Sequence, residues 1–81
     1  MQVRVNLFAR FKDLAGKDHL VLSVPDGATV GSVRKSLMKS FASAAGLLER
    51  SALAIDNEIA DDGAAICAGA EIALLPPVSG G

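Results

Sequence analysis

Residues 2–8, Gln-Val-Arg-Val-Asn-Leu-Phe, alternate between two faces of an extended chain, and one face is wholly aliphatic: Val3, Val5 and Leu7. This period of two predicts a β-strand with that face in the core. Residues 19–24 repeat the pattern with Leu20, Leu22 and Val24. The sequence Pro25-Asp26-Gly27 ends this second strand, because proline cannot donate to a strand ladder and glycine tolerates turn geometry. The two strands are predicted to pair as a hairpin.

Downstream of the hairpin the apolar spacing changes to that of a helix. Apolar side chains recur over residues 30–41 at helical spacing, at Val30, Val33, Leu37 and Phe41. Thr29 is the expected N-cap of this helix. Residues 41–50 are alanine-rich and suggest a second, short helix, and residues 9–18 form a connection with room for a helical turn. Short strands are predicted at residues 53–55, 58–60 and 71–75, the first two joined by a turn at Asp56-Asn57.

The predicted order is therefore β-β-α-β-β-β, with one main helix to cover one face of a mixed sheet. In a chain of 81 residues this order indicates an α+β fold of the β-grasp, ubiquitin-like class. We expect a β-grasp domain over residues 1–75 and an extended, flexible C-terminal tail over residues 76–81.

The alternation also predicts which side chains lie on the sheet face away from the helix. If Val3, Val5 and Leu7 face the helix, then Phe8 faces away, and so do Ala73 and Leu75 of the last strand. A sheet face exposed to water is usually polar, so apolar side chains there favour a partner-binding surface. The alternative is a pair of isolated surface apolar residues, which are common.

Composition excludes several functional classes. The net charge of −1 does not provide the basic surface of a nucleic-acid-binding protein. One cysteine and one histidine cannot form an internal disulfide or a multi-ligand zinc site, so we expect no bound metal or cofactor. No apolar stretch approaches the roughly 18 residues of a membrane span. Arg4, Arg10 and Lys12 interrupt any signal-peptide core, so we expect a cytoplasmic protein without membrane association.

The reactive side chains are scattered and predict no self-contained active site. Cys67 lies in an Ala-Ile-Cys-Ala stretch and is expected to be a small buried side chain. His19 has no partner for a triad and is expected at the surface or at a sheet edge. Asp61-Asp62 precedes a glycine and is expected to form a solvated turn. Three cationic residues are expected on exposed faces: Lys12, Arg34 and Lys35.

The C-terminal residues Pro76-Pro77-Val78-Ser79-Gly80-Gly81 directly follow the last predicted strand. The prolines cannot extend a strand ladder and favour an extended chain that reaches out from the sheet. Gly80 and Gly81 lack side chains and suit a narrow channel in a partner. The candidate reactive group is the carboxylate of Gly81. Because a carboxylate resists nucleophiles, it needs activation, such as adenylation by ATP on a second protein; the alternative is an ordinary frayed terminus.

This tail, together with the segment Leu7-Phe8-Ala9-Arg10-Phe11-Lys12-Asp13-Leu14-Ala15-Gly16, resembles the small subunits of molybdopterin synthase, the MoaD-type sulfur-carrier family. The resemblance covers essentially the whole chain. It implies that a ubiquitin-activating-type enzyme adenylates Gly81, that a sulfurtransferase system makes the thiocarboxylate, and that the tail enters the large synthase subunit. Sulfur then passes to cyclic pyranopterin monophosphate to form molybdopterin. The family further implies a heterotetramer of two small and two large subunits.

The resemblance also assigns roles to individual positions. Gly81 carries the sulfur, and Gly80 shares the tail's role of entering the partner. The passage into the partner is lined by Pro76, Pro77, Val78 and Ser79, and Phe8 and Leu75 contact partners. Two departures concern partner affinity or identity: Leu75 stands where relatives often have phenylalanine, and Ala70 replaces an aspartate before the last strand.

Three other functions stay open at this point. The chain could carry sulfur for thiamine or another thiolated product, although such carriers typically lack Pro-Pro-Val-Ser before the glycines. It could be a ubiquitin-like modifier conjugated to lysines through Gly81, because the activation chemistry is shared. It could also be a plain interaction module, for which deleting Gly80 and Gly81 would be without effect.

Overall fold

The computed structural model describes residues 1–77, so the predictions for Val78, Ser79, Gly80 and Gly81 lie outside the described residues. The strands are β1 (Gln2–Leu7), β2 (His19–Ser23), β3 (Ala52–Ile55), β4 (Glu58–Ala60) and β5 (Glu71–Leu75). The helices are α1 (Arg10–Ala15), α2 (Val30–Ser40) and α3 (Ala45–Glu49), with a 3-10 turn at Ala42–Ala44 before α3.

The strands form one mixed sheet in the order β2-β1-β5-β3-β4. β1 pairs antiparallel with β2, as the predicted hairpin requires, and pairs in parallel with β5 on its other side. β3 pairs antiparallel with both β5 and β4. This first strand beside the last, with α2 on one face, is a β-grasp arrangement and confirms the predicted fold class.

Helix α2 supplies the main apolar contact with the sheet. Thr29 is its N-cap, and the Thr29 hydroxyl accepts a hydrogen bond from the amide of Ser32 at 3.3 Å. The inward side chains Val30, Val33 and Leu37 are fully buried. The helix ends at Ser40, one residue before the predicted end, and Phe41 leaves the helical geometry with φ −116°. The Phe41 ring instead packs against Phe11 at 5.7 Å between centroids.

The core lies between α2 and the inward face of the sheet. The aliphatic residues predicted to face the helix are all buried: Val3, Val5, Leu7, Ile72 and Leu74. Phe11 of α1 and Leu48 of α3 close the core at its sides and are also fully buried. The alternation of β1 and β5 therefore assigns the two faces of the sheet correctly.

Turn residues determine where the strands reverse. Gly27 has φ +82°, and the amide of Ala28 bonds to the carbonyl of Pro25 at 3.1 Å, which closes the turn after β2. Asp56 and Asn57 have φ +47° and +72° in the tight turn between β3 and β4. Asparagine and aspartate adopt positive φ more readily than other non-glycine residues, so this dipeptide suits the turn.

Within residues 1–77, no helix is both long and apolar enough to cross a membrane.

Candidate functional site

Because β1 and β5 pair in parallel, the C-terminal ends of these two inner strands lie side by side at the same end of the sheet. Leu7, the last residue of β1, lies opposite Leu74 in the β5 register. Phe8 directly follows Leu7 at the end of β1, and Leu75 follows Leu74 as the last residue of β5. Because the two strands run the same way, the chain leaves β5 towards Pro76 at the edge where Phe8 lies.

The side chains at this edge have the exposure that the alternation predicts. Leu7 and Leu74 are buried, whereas Phe8 is 45% exposed and Leu75 is partly exposed. Ala73, two residues before Leu75, is also partly exposed. The sheet therefore has apolar side chains on its outward face, next to the point where the tail begins.

Ile59 of β4 extends this apolar surface, and the sequence alone did not identify it. Ile59 lies opposite Ala54 of β3, and Ala54 lies opposite Ala73 of β5. Residues in register share a face, so Ile59 is on the outward face, where its side chain is 68% exposed. The signal was an isoleucine between Glu58 and Ala60 in a predicted strand, but only the strand order shows which face it occupies.

We call this surface the apolar sheet face and define it by four residues: Phe8, Ile59, Ala73 and Leu75. Phe8 follows β1 and Ile59 lies on β4, with β5 and β3 between them, so this face carries exposed apolar side chains across four strands. Exposed apolar surface of this kind is typical of interaction sites. Pro76 and Pro77 follow Leu75, are partly buried and form no regular element. The partner-contact roles predicted for Phe8, Leu75 and the tail residues stay predictions.

His19 lies on β2 at the edge of the sheet, as expected, and pairs with the residue before it. Its Nδ1 atom is 2.8 Å from Oδ1 of Asp18. This hydrogen bond lowers the pKa of Asp18 below its ordinary value; a small loss of hydration opposes it, and the neighbouring charges of His19, Lys12 and Arg4 add to the lowering. The pair lies at the surface and brings no third group for nucleophilic catalysis.

Cys67 was expected to be buried, and that prediction is wrong: the residue is exposed. The loop buries Ile66 and Ala70 instead, and the amide of Ala70 bonds to the carbonyl of Cys67 at 3.1 Å. The chain turns between these two buried residues, so Cys67 points outward despite its apolar neighbours.

Arg34 was expected on an exposed face, and that prediction is also wrong. Its side chain is only 14% exposed. Its Nη1 atom donates to the carbonyls of Leu48 and Ser51, both at 2.7 Å. Its Nε atom donates to the carboxylate of Asp62 at 3.0 Å, so Asp62 is ion-paired rather than simply solvated. Arg34 therefore ties α2 to the end of α3 and to the turn after β4.

The part of the chain that the structure describes contains no group of three or more His, Cys, Asp or Glu residues that could hold a metal ion. Within residues 1–77, the feature adjacent to the predicted tail is the apolar sheet face, which Pro76 and Pro77 follow.

The ThiS family matches residues 5–81, which is nearly the whole chain and includes the tail. The chain belongs to the ThiS family. Two curated relatives are named molybdopterin synthase sulfur carrier subunit. The one from Arabidopsis thaliana is 33% identical over 100% of this chain and 84% of its own length. The one from Dictyostelium discoideum is 35% identical over 99% of this chain and 96% of its own length.

Solved structures show the same fold. Small archaeal modifier protein 1 of Haloferax volcanii superimposes with a TM-score of 0.82 at 28% identity, over 95% of this chain and 98% of that one. A chain of the complex of subunits 1 and 2 of the molybdopterin-converting factor from Helicobacter pylori gives a TM-score of 0.69 at 22% identity, over 100% of both chains. At that identity the second likeness shows the fold alone.

Proposed function

We propose that this chain is the sulfur-carrier subunit of a molybdopterin synthase and that its reactive group is the C-terminal carboxylate of Gly81. The observation that carries the proposal is the end-to-end match with two curated sulfur carrier subunits. The fold supports it, because the parallel β1–β5 pair places Pro76, the first residue after β5, at the end of the sheet where the exposed Phe8 lies.

The proposed chemistry takes place on partner proteins. A carboxylate oxygen of Gly81 attacks the α-phosphorus of ATP on an adenylating enzyme, and pyrophosphate leaves. A sulfide-level nucleophile, HS⁻ from the sulfur source, then attacks the acyl carbon, AMP leaves, and the glycine ends in a thiocarboxylate. In the synthase this sulfur forms a bond to carbon of cyclic pyranopterin monophosphate, and water cleaves the acyl–sulfur bond, which returns Gly81 to a carboxylate. Activation is needed because the free carboxylate has no good leaving group.

The proposed docking partner is the large synthase subunit, with the apolar sheet face as the contact. Both curated relatives are named as subunits of a synthase, and the H. pylori chain of the same fold is found in a complex of subunits 1 and 2. Docking would bury the exposed side chains of Phe8 and Ile59, and removing this apolar surface from water makes the free energy of binding more favourable. Docking there places Pro76 at the partner's surface, so that the tail can enter it. We further propose a heterotetramer of two small and two large subunits in the cytoplasm.

Replacing Phe8 with aspartate is expected to weaken binding to the large subunit by at least about 30-fold, as for a central aromatic anchor. The Ile59→Asp variant should also weaken binding, because its side chain lies on the same face. Isothermal titration calorimetry with the purified large subunit measures both effects.

Ala42→Asp is the control for these variants. Ala42 is exposed in the 3-10 turn that follows α2, and α2 packs on the sheet face opposite to Phe8. Its replacement should leave the affinity unchanged. Equal losses for Ala42→Asp and Phe8→Asp would contradict a docking surface that includes Phe8, and unchanged affinity in the Phe8 variant would do so directly.

The carrier function itself is tested by intact-mass spectrometry after incubation with ATP, a matching adenylating enzyme and a sulfur source. We expect a mass increase equal to the replacement of one oxygen by sulfur, located in the C-terminal peptide. Adding the large subunit and the pterin precursor should then yield molybdopterin. An unchanged mass, with the enzyme active on another carrier, would contradict the proposal.

A second candidate function is conjugation to lysines as a protein modifier. The likeness to small archaeal modifier protein 1, at 28% identity over nearly the whole of both chains, favours it. The two functions share the adenylation step and differ in the final nucleophile. Proteins carrying the chain through an amide bond to Gly81 would support the modifier function, whereas a thiocarboxylate consumed by the synthase supports the carrier function.

A further inference from the structure

Strand β2 forms one edge of the sheet, and the backbone on its outer side is unpaired. Within residues 1–77, β2 pairs with β1 and with no other strand. The carbonyl of Asp18 and the amide of Val24, on either side of β2, each hydrogen-bond across to the β1 side at 2.8 Å. Backbone groups of an antiparallel strand alternate in direction, so the even-numbered residues between these two also point to β1. The N–H and C=O groups of His19, Val21 and Ser23 therefore point away from the sheet.

The side chains of β2 leave apolar surface uncovered at this edge. Leu20 and Leu22 face the core but are only partly buried, whereas the inward side chains of β1 are all buried. On the outward face Val21 is 55% exposed. Proteins protect a free sheet edge with lysine, proline, a bulge or an inward-pointing charge. The sequence His-Leu-Val-Leu-Ser has none of these, and its register with β1 is continuous, so the edge favours pairing with a further strand.

The order of side chains in β2 fits a second copy of the same strand. When two copies pair antiparallel with Val21 opposite Val21, Leu20 lies opposite Leu22 of the second copy, and His19 lies opposite Ser23. The residues with outward-pointing backbone are then opposite one another, so each such pair can exchange two hydrogen bonds. The leucines meet on the core face at the positions where side chains approach most closely, and the valines meet on the outward face.

Charge does not oppose this pairing. No two like charges lie opposite each other within the paired strands, and the ring of His19 already pairs with Asp18 of its own copy. The net charge of the chain is −1, so repulsion between two copies is small. The arrangement is two-fold symmetric and uses the same surface of both copies, so it closes as a dimer instead of growing into a filament.

We propose that β2 is a self-association surface, through which two copies of this chain pair antiparallel about Val21 and join their sheets. The contact is a single pair of short strands, so the dissociation constant is expected to be roughly 0.1–1 mM. β1 lies between the joint and β5, so Pro76 and the tail of each copy stay outside the contact. The inference needs no partner protein and does not depend on the proposed function.

Sedimentation equilibrium of the full chain tests the proposal, at concentrations from about 10 μM to about 3 mM, which bracket the expected dissociation constant. The weight-average mass should rise from that of the monomer towards that of the dimer and no further. Hydrogen exchange at the Val21 amide should become about twofold slower when half of the chains are paired. The Leu22 amide already faces β1 and should be unaffected.

The Val21→Lys variant places two cations directly opposite each other and should weaken the dimer by at least about 10-fold. Val21 is exposed, so the monomer should keep its fold, which circular dichroism checks. Val21→Thr keeps the branched shape and should retain the dimer to within about 3-fold. Ile59→Lys is the matched control, because Ile59 is the exposed branched side chain of β4, at the opposite edge of the sheet.

Three results would overturn the inference. The first is a chain that stays monomeric over the whole concentration range. The second is equal weakening by Ile59→Lys and Val21→Lys, which would indicate pairing of β2 with β4 of the next copy. The third is association that Phe8→Asp removes and Val21→Lys does not, which would indicate contact through the apolar sheet face.

Discussion

Deleting Gly81, or adding one residue after it, is expected to abolish sulfur transfer in a reconstituted synthase. In both variants the carboxylate no longer lies at the position to which the adenylating enzyme and the large subunit are matched, and one residue moves it by about 3.3 Å. A misplacement of this size is large for a reaction that depends on the alignment of the reacting atoms. We expect a loss of at least about 100-fold in the rate of molybdopterin formation.

The same variants should keep the fold. Among the described residues 1–77, the core is formed by residues of the sheet, α1, α2, α3 and the loops, all before residue 76. The unfolding midpoint is therefore expected to stay within about 1 °C of that of the unmodified chain. Circular dichroism during heating measures it, and sulfur transfer is followed by the mass of the C-terminal peptide.

The Cys67→Ser variant tests whether the sulfur is held on the Cys67 thiol instead of on the carboxyl group of Gly81. Cys67 is exposed and is the only cysteine in the chain, so it is the one alternative thiol for holding sulfur. Full transfer by this variant, with none by the Gly81 deletion, is the expected pair of results. Transfer that survives the loss of Gly81 would overturn the carrier function.

Replacing Arg34 with alanine is expected to destabilise the fold by about 2–4 kcal/mol, because charge-assisted hydrogen bonds are lost around a mostly buried group. The carbonyls of Leu48 and Ser51 lose a donor that lies 2.7 Å from each of them. Asp62 loses its cationic partner, although its own exposure limits that part of the effect. In a domain of this size the unfolding midpoint should fall by about 12–24 °C.

Two variants separate the geometry of Arg34 from its charge. Arg34→Lys keeps the charge but cannot bond to Asp62 and both carbonyls at once, so it should recover only part of the stability. Lys35→Ala removes an exposed cation from the next position of α2 and should change stability by less than about 0.5 kcal/mol. Urea unfolding measures all three. An Arg34→Ala variant as stable as Lys35→Ala would show that the bonds to Asp62, Leu48 and Ser51 contribute little.

Much of the fold was predictable because the decisive signals are local. The alternation of β1, the spacing of α2 and the cap at Thr29 each arise within a few residues, and all three predictions are confirmed. The same local signals placed Phe8 and Leu75 outside the core. The edge that these two residues share depends on the parallel pairing of β1 with β5, which the predicted β-grasp order supplied.

The errors concern residues whose surroundings are brought together from distant parts of the chain. Arg34 looked like a surface cation because its partners are 14 to 28 positions away. Cys67 looked buried because its neighbours are apolar, yet the turn between Ile66 and Ala70 directs it outward. Ile59 was predicted in a strand, but its place on the apolar sheet face depends on the register with Ala54.

The sequence by itself determined the strands, the main helix, their turns and the nature of the tail, since hydrophobic period, proline and glycine act over short distances. Tertiary structure alone decided that Ile59 joins Phe8 on the outward face, that Arg34 is held by three distant groups, and that β2 forms an edge of the sheet. Such features depend on which segments pack together, and packing energy outweighs local preference once the core forms.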